Sequence, residues 1–171
     1  MIAAMLMVAC GPNREDRISQ IEEMEDQLFE SMIGADPDAA NKLADMYVAF
    51  ADKYPKDSLS PEYLMKAADV QCNVLHTEKS IELFDRIIND YPDFEQVPMC
   101  YFLKGHAYEL NEQLNEAKAA YEEFLSKYPD HYMAESTRIM LPRLGMSDEE
   151  LLADILEHAD DSVIAQNQAI M

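Results

Sequence analysis

The chain has 171 residues, 49% of them hydrophobic, which is enough apolar material for one compact domain with a core. Its 34 acidic residues outnumber its 13 Lys and Arg residues, and the resulting net charge of −21 argues against a nucleic-acid partner, because phosphate binding needs a basic surface. An acidic surface of this density favours solubility and attracts basic peptides or cations. Only four glycines, together with helical spacing of apolar residues almost throughout, predict an all-α protein.

The N-terminus carries an apolar, uncharged run of nine residues, MIAAMLMVA, that ends at Cys10. Nine residues cannot span a bilayer as a helix, but they match the apolar core of a secretory signal. Met7-Val8-Ala9-Cys10 resembles a bacterial lipoprotein box, which implies that residues 1–10 form a signal ending at a lipidated Cys10. No Lys or Arg precedes the run, in departure from that pattern. The alternative is an ordinary apolar N-terminus with a buried Cys10.

Two helices are predicted next. Residues 14–33 form an acidic amphipathic helix with apolar residues every three or four positions: Ile18, Ile21, Met24, Leu28 and Met32. This helix pairs with the following one as the first half of a hairpin, or forms a short coiled-coil arm. Asp36-Pro37 predicts the N-cap and first residue of a helix that ends at Tyr54.

The centre of the chain repeats these signals. Ser60-Pro61 predicts another helix start, and Thr77 is a candidate cap for the helix that follows. Tyr-Pro pairs at 54–55, 91–92 and 128–129 recur every 37 residues, and a proline ends a helix just before it. Such a period is typical of stacked helical hairpins.

The hairpin over residues 97–128 has the clearest pattern. A first helix, 97–110, places Tyr101, Gly105 and Tyr108 on one side, and a second, 113–128, places Ala117, Tyr121 and Phe124 on one side. Because Gly105 and Ala117 are small, we expect them to face each other where the two helices approach closely.

The C-terminal part predicts a helix pair that covers the end of the stack. Residues 133–144 form its first helix, and a capping box, Ser147 to Glu150, opens the second. We expect the apolar residues of this second helix to point inward: Leu151, Leu152, Ile155 and Leu156. Residues 159–171 lack periodicity and are predicted to be a flexible tail.

Tyr101, Gly105, Tyr108, Ala117, Tyr121 and Pro129 stand in the order and spacing of the tetratricopeptide repeat, which this region resembles. A degenerate copy begins at Tyr63. The resemblance implies an α-solenoid of about three helical hairpins with a C-terminal capping helix pair over residues 14–158. It also implies a concave partner-binding groove lined by six residues: Leu64, Ala68, Gln71, Phe102, His106 and Glu109. An apolar groove of this kind suits a hydrophobic peptide or a partner helix.

Other chemistry finds little support in the sequence. Cys72 and Cys100 fall about ten positions apart along neighbouring parallel helices, or ~15 Å, so we expect two free thiols. The four histidines lack metal-ligand spacing, and the paired carboxylates fall on solvated helix faces. No catalytic motif, metal site or cofactor site is predicted.

The sequence therefore predicts a non-enzymatic scaffold that binds a protein or peptide. The lipid box places it in the bacterial cell envelope, anchored to the outer membrane and facing the periplasm, where it resembles the repeat lipoproteins of outer-membrane protein assembly. The alternative is a cytosolic adaptor or co-chaperone module, in which Cys10 is not processed.

Overall fold

A computed structural model describes residues 11–30 and 36–157. Helices and their connections make up these residues, and no strand occurs among them. The elements in chain order are α1 (Arg14–Glu30), α2 (Pro37–Lys53), α3 (Leu59–Asn73), α4 (Thr77–Asp90), α5 (Val97–Leu110), α6 (Leu114–Lys127), α7 (Ala134–Met140), a 3-10 helix (Leu141–Arg143) and α8 over residues 148–157. The predicted signal, 1–10, and the predicted tail, 159–171, lie outside the described residues.

Each helix from α1 to α7 packs against its neighbour along the chain. The pairs α1–α2, α3–α4 and α5–α6 form three hairpins, which confirms the predicted all-α solenoid. α1 runs beside α3, since Arg14 at its start binds Asp57 just before α3, and Glu25 near its end binds Lys66 within α3. Pairing of α1 with the array is therefore confirmed, and the coiled-coil arm is wrong.

The core lies in the seams between the helices. One cluster joins α1, α2 and α3: Ile21, Leu43, Ala44, Tyr47, Phe50, Tyr63 and Ala67. A second joins α2, α3, α4 and α5: Ala51, Leu64, Ala68, Phe84, Ile87, Val97 and Cys100. Because a single hairpin cannot cover its own apolar side, burial of this side comes from the next hairpin in the stack.

The three Tyr-Pro pairs end their helices in the same way. The backbone N–H groups of Tyr54, Tyr91 and Tyr128 donate to the carbonyl oxygens four residues earlier, each at 2.9 Å. The following proline has no N–H with which to continue the helix. The predicted 37-residue period thus corresponds to three equivalent helix ends.

Two of the predicted helix starts differ in detail. The Asp36 carboxylate accepts from the Asp38 N–H at 3.1 Å, as expected for an N-cap. Ser60, however, lies inside the first turn of α3, where its hydroxyl donates to the Tyr54 carbonyl at 2.6 Å and ties α3 to the end of α2. Thr77 is the first residue of α4 and does not cap it.

The turns within the second and third hairpins are closed alike. Leu75 has φ 61° and Glu112 has φ 57°, in the left-handed region. In each turn an N–H then donates to a carbonyl five residues earlier, from His76 to Gln71 at 2.8 Å and from Gln113 to Tyr108 at 2.9 Å. This is the hydrogen-bond pattern of a helix C-terminal cap that is usually made with glycine.

Gly105 lies where α5 and α6 come closest. A Cβ atom at this position would lie 2.7 Å from the Tyr121 ring, so only glycine fits without movement. The close approach is as predicted, but the nearest atoms belong to the Tyr121 ring and not to Ala117, which is buried separately.

The C-terminal pair departs most from the predictions. The helix expected over 133–144 is only seven residues long and continues as a 3-10 helix through Pro142. The capping box is confirmed, since the Ser147 N–H donates to Glu150 at 2.8 Å and the Glu150 N–H donates to the Ser147 hydroxyl at 3.3 Å. The inward apolar row is wrong for three of its four residues: Leu151 is partly buried, but Leu152, Ile155 and Leu156 are 48–59% exposed. Asp154 is partly buried instead and binds Arg143 at 2.5 Å.

Across the described ranges, no helix combines the length and the apolar character needed to cross a membrane.

Candidate partner-binding face

The three groove residues predicted on α3 are buried. Leu64 and Ala68 are 0% exposed and belong to the core cluster that joins α3 to α4 and α5. The Gln71 side chain is also buried and contacts Asn41 at 3.3 Å and His76 at 3.0 Å. The prediction of an accessible apolar strip on α3 is therefore wrong, because this face of α3 packs against neighbouring helices.

The three groove residues predicted on α5 lie together near the C-terminal end of the stack. Phe102 is half-buried and packs against the Tyr121 ring, with ring centroids 5.4 Å apart. Glu109 accepts a hydrogen bond from the Tyr121 hydroxyl at 2.9 Å, and the His106 ring lies 3.9 Å from the Glu109 carboxylate. Phe102, His106 and Glu109 thus surround one tyrosine but do not continue into Leu64 and Ala68.

The accessible face of α3 is polar. It carries Glu62, Lys66, Asp69 and Asn73, all exposed, at intervals of three and four residues. Polar residues at helical spacing mark the solvated side of an amphipathic helix. This signal was present in the sequence and identifies the open face of α3 better than alignment with the repeat pattern did.

Glu25 joins α1 to this face. Its carboxylate binds the Lys66 ammonium at 2.6 Å and accepts from the Tyr47 hydroxyl. Burial raises the pKa of Glu25, but the hydrogen bonds from Lys66 and Tyr47 outweigh burial and hold the pKa below its ordinary value. Burial and the hydrogen bond to Glu25 raise the pKa of Tyr47, so Tyr47 stays protonated and keeps donating.

Asp69 lies one turn before Cys72 on α3 and close enough to α5 to act on Cys100. Its side chain reaches solvent, yet the surrounding protein removes enough water to raise the pKa of the Asp69 carboxyl. No cation pairs with it among the described residues. Burial, aided by the Asp69 charge, raises the pKa of Cys72 and raises that of Cys100 to about 12.

Both thiols are therefore protonated at neutral pH, and both cysteines are free, as predicted. Within the described part of the chain, no group of His, Cys, Asp and Glu side chains has the arrangement needed to hold a metal ion.

The face formed by Glu25, Lys66 and Asp69 is named the first-helix face below, since α1 and α3, the first helices of their hairpins, supply it. His106 and Glu109 are not part of it, because at the 38-residue repeat offset they correspond to Ala68 and Gln71, on the buried side of α3. The first-helix face is charged, with two carboxylates and one ammonium group among its three residues. It offers hydrogen-bond acceptors and one unpaired carboxylate to a bound chain, in place of the apolar groove that the sequence predicted.

Comparison with known proteins finds a similarity for two of the hairpins. Residues 62–93, which cover α3 and α4, and residues 99–131, which cover α5 and α6, each match the family model described as a tetratricopeptide repeat. No curated protein matches the chain. The stacked hairpins and the two matches agree: two consecutive hairpins of the stack are similar to tetratricopeptide repeats.

Proposed function

We propose that this chain is a non-enzymatic scaffold that binds a partner protein and is held in the bacterial cell envelope by a lipid on Cys10. The observation that carries the scaffold is the pair of matched repeats, each of which folds as one hairpin of a continuous stack. Stacked hairpins offer an extended surface along which a peptide or a partner helix can lie. The anchor is supported by the lipid-box sequence, which lies outside the described residues.

An anchor of this kind limits the partner to other proteins of the envelope. The resemblance to repeat lipoproteins favours a component of outer-membrane protein assembly, met on the periplasmic side of the outer membrane. The first-helix face is the proposed contact surface. Asp69 would pair with a Lys or Arg of the partner, because an unpaired, partly desolvated carboxylate gains most from a nearby cation.

Phe102, His106 and Glu109 would form a second, separate contact surface on α5. The Phe102 ring is already held by Tyr121, so a partner would meet a pre-positioned aromatic edge. The exposed His106 ring and the Glu109 carboxylate would add polar contacts beside it.

The anchor is tested by expression of the full chain in a bacterial host, with detergent-phase partition and intact mass as readouts. We expect acyl groups on Cys10, and loss of membrane retention or accumulation of the precursor in Cys10→Ser. Unmodified Cys10 in membrane-extracted protein would refute the anchor. A soluble, unprocessed wild-type chain would instead support the cytosolic adaptor.

The contact surface is tested by charge reversal on two helices. Asp69→Lys changes the first-helix face, whereas Glu122→Lys makes the same change on the exposed side of α6. We expect Asp69→Lys to lose a partner captured by crosslinking from membranes and Glu122→Lys to retain it. If Glu122→Lys alone loses the partner, binding occurs on the α6 side and the first-helix face is not the site.

A further inference from the structure

An amphipathic helix that packs only on its own chain normally buries its apolar side, but α8 exposes most of its apolar residues. Leu152, Ile155 and Leu156 follow helical spacing and are 58%, 48% and 59% exposed. The side of α8 that meets the protein contains the partly buried Leu151 and Asp154, and Asp154 binds Arg143 beside the 3-10 helix. An apolar helical row normally faces a core, but none of residues 11–30 and 36–157 covers this one.

The surroundings extend the apolar area. Of the nine large hydrophobic residues that are exposed in the described part of the chain, eight lie from Leu110 onward. Leu110 and Leu114 flank the turn between α5 and α6, and a Leu114 methyl group approaches Gly145, next to Met146. The C-terminal apolar face is defined by the α8 row, Leu152, Ile155 and Leu156, with Leu114 and Met146 near the start of α8.

Acidic groups border this face. The sequence of α8 contains Asp148, Glu149, Glu150, Asp154 and Glu157 and no Lys or Arg. The four basic residues between 110 and 157 are each already in an ion pair, Lys118, Lys127, Arg138 and Arg143. A bound molecule would therefore meet an apolar row with negative charge on its border.

We propose that the C-terminal apolar face binds an amphipathic helix of another protein, with Lys or Arg on both sides of that helix's apolar row. A helix supplies apolar residues at the spacing of Leu152, Ile155 and Leu156, as in helix-in-groove recognition. Basic flanks complement the acidic border and speed association. This surface is separate from the first-helix face and does not depend on the lipid anchor.

Two other occupants have the wrong charge. A second copy of the chain would bring α8 against α8 and place acidic residues opposite each other, and like charges across an interface are unfavourable. Residues 158–171 of the same chain contain Asp160 and Asp161 and no Lys or Arg, so they offer nothing to the acidic border. A basic helix from a different protein fits both the apolar row and its border.

The test uses the purified full chain and three fluorescent synthetic peptides of equal length. The first places Leu at positions i, i+3, i+4 and i+7 with Lys elsewhere. The second has Glu in place of Lys. The third contains the same Leu and Lys residues in an order without helical periodicity, which measures general attraction to a chain of net charge −21. We expect the first peptide to bind about tenfold or more tightly than the other two at moderate salt.

Matched variants locate the binding. Leu152→Gln/Leu156→Gln removes two apolar side chains without changing charge. It should lower the affinity for the first peptide about tenfold or more. Leu75→Gln changes an exposed leucine that is not part of this face and should leave binding unchanged. Glu149→Lys/Glu157→Lys should weaken binding severalfold at low salt and less at high salt. Circular dichroism checks that helix content is kept, and the charge variant tests the face even if the double Gln variant frays α8.

The inference fails if the aperiodic peptide binds as well as the helical one, or if neither α8 variant changes binding. It also fails if sedimentation shows a dimer that Leu152→Gln/Leu156→Gln separates, since the occupant is then a second copy. Stronger peptide binding after deletion of residues 158–171 would identify the chain's own C-terminal segment as the occupant. None of these results bears on capture of an envelope partner through Asp69, which the crosslinking experiment measures separately.

Discussion

The two ends of the array are closed by similar acidic, amphipathic helices that face in opposite ways. At the N-terminal end, α1 turns its apolar side to the stack, and Ile21 is 1% exposed. At the C-terminal end, α8 turns Ile155 to solvent, with 48% of this residue exposed. Both helices form ion pairs with their own end of the stack, α1 through Arg14 and Glu25 and α8 through Asp154.

The difference comes from the surface that each helix meets. α1 has 17 residues and lies along α2 and α3, and Ile18, Ile21, Met24 and Leu28 on its apolar side pack into the first core cluster. α7 has seven residues and offers little apolar surface to α8. Amphipathic sequence shows that a helix has an apolar side, but the length of its neighbours decides whether this side is covered.

The largest difference in stability is expected between alanine substitutions of two isoleucines, one at each end of the array. Ile21→Ala should lower the free energy of unfolding by about 2–5 kcal/mol, because it leaves a cavity in the first core cluster. Ile155→Ala should change it by no more than about 0.5 kcal/mol, since the side chain is already half in water. Urea unfolding of both variants measures the difference. Equal losses would mean that α8 is packed as tightly as α1.

A somewhat smaller effect is expected at the last hairpin before the C-terminal end. Gly105→Leu places a side chain where even a Cβ would lie 2.7 Å from Tyr121, and such overpacking costs about 1–3 kcal/mol. The control Glu122→Gln, on the exposed side of α6, should cost less than about 0.5 kcal/mol. Melting temperatures of the two variants test this, and similar shifts would contradict the close packing of α5 on α6.

The ionic contact at the N-terminal end makes a weaker contribution that depends on pH. Glu25→Gln should lower the free energy of unfolding at pH 7 by about 1 kcal/mol. The pKa of Glu25 is lower in the folded chain, so its contribution is present above the ordinary value near 4.5 and is lost as pH falls through the lowered value. The difference between wild type and Glu25→Gln should therefore shrink at acid pH.

Urea midpoints at pH 7 and at acid pH provide this measurement, and Glu22→Gln is the control, since Glu22 is exposed on the same helix. If the stability difference between wild type and Glu25→Gln grew as pH fell, the pKa of Glu25 would be raised in the folded chain and not lowered.

The smallest effect concerns a repeat position that is buried in one hairpin and open in the next. Ala68 is fully buried, whereas His106, which is 38 residues later in the same repeat position, has 47% of its side chain exposed. His106→Ala should thus alter stability by no more than about 0.5 kcal/mol. A loss well above 1 kcal/mol in thermal unfolding would show that the C-terminal end covers His106 more than its exposure indicates.

Local signals predicted most of the fold. The prediction of a helix over 97–110 matches α5, and the Tyr-Pro period identified the three equivalent helix ends. Both signals depend only on nearby residues, because a proline restricts the residue before it and helical spacing repeats every three or four positions. The helix over 133–144 was predicted too long. Apolar periodicity continues past Met140, but Pro142 tightens the chain into a 3-10 turn.

The binding face was predictable only in part. Whether Leu64 and Ala68 are open or buried depends on α4 and α5, far along the sequence, and the repeat pattern does not record how tightly successive hairpins pack. The polar spacing of Glu62, Lys66 and Asp69 would have identified the open side of α3. The outward row on α8 could not be predicted, since spacing alone does not say which surface an apolar side meets.

Two hairpin turns contain a residue in the left-handed backbone conformation, and substitutions at these two residues can raise the thermal stability of the chain. Leu75 and Glu112 hold a backbone conformation that costs most residues about 1–2 kcal/mol and costs glycine little. Glycine also has more freedom in the unfolded chain, so the net gain per turn from Leu75→Gly or Glu112→Gly is up to about 1 kcal/mol. Because neither turn belongs to the first-helix face, a more stable form of the chain would keep the proposed contact surface unchanged.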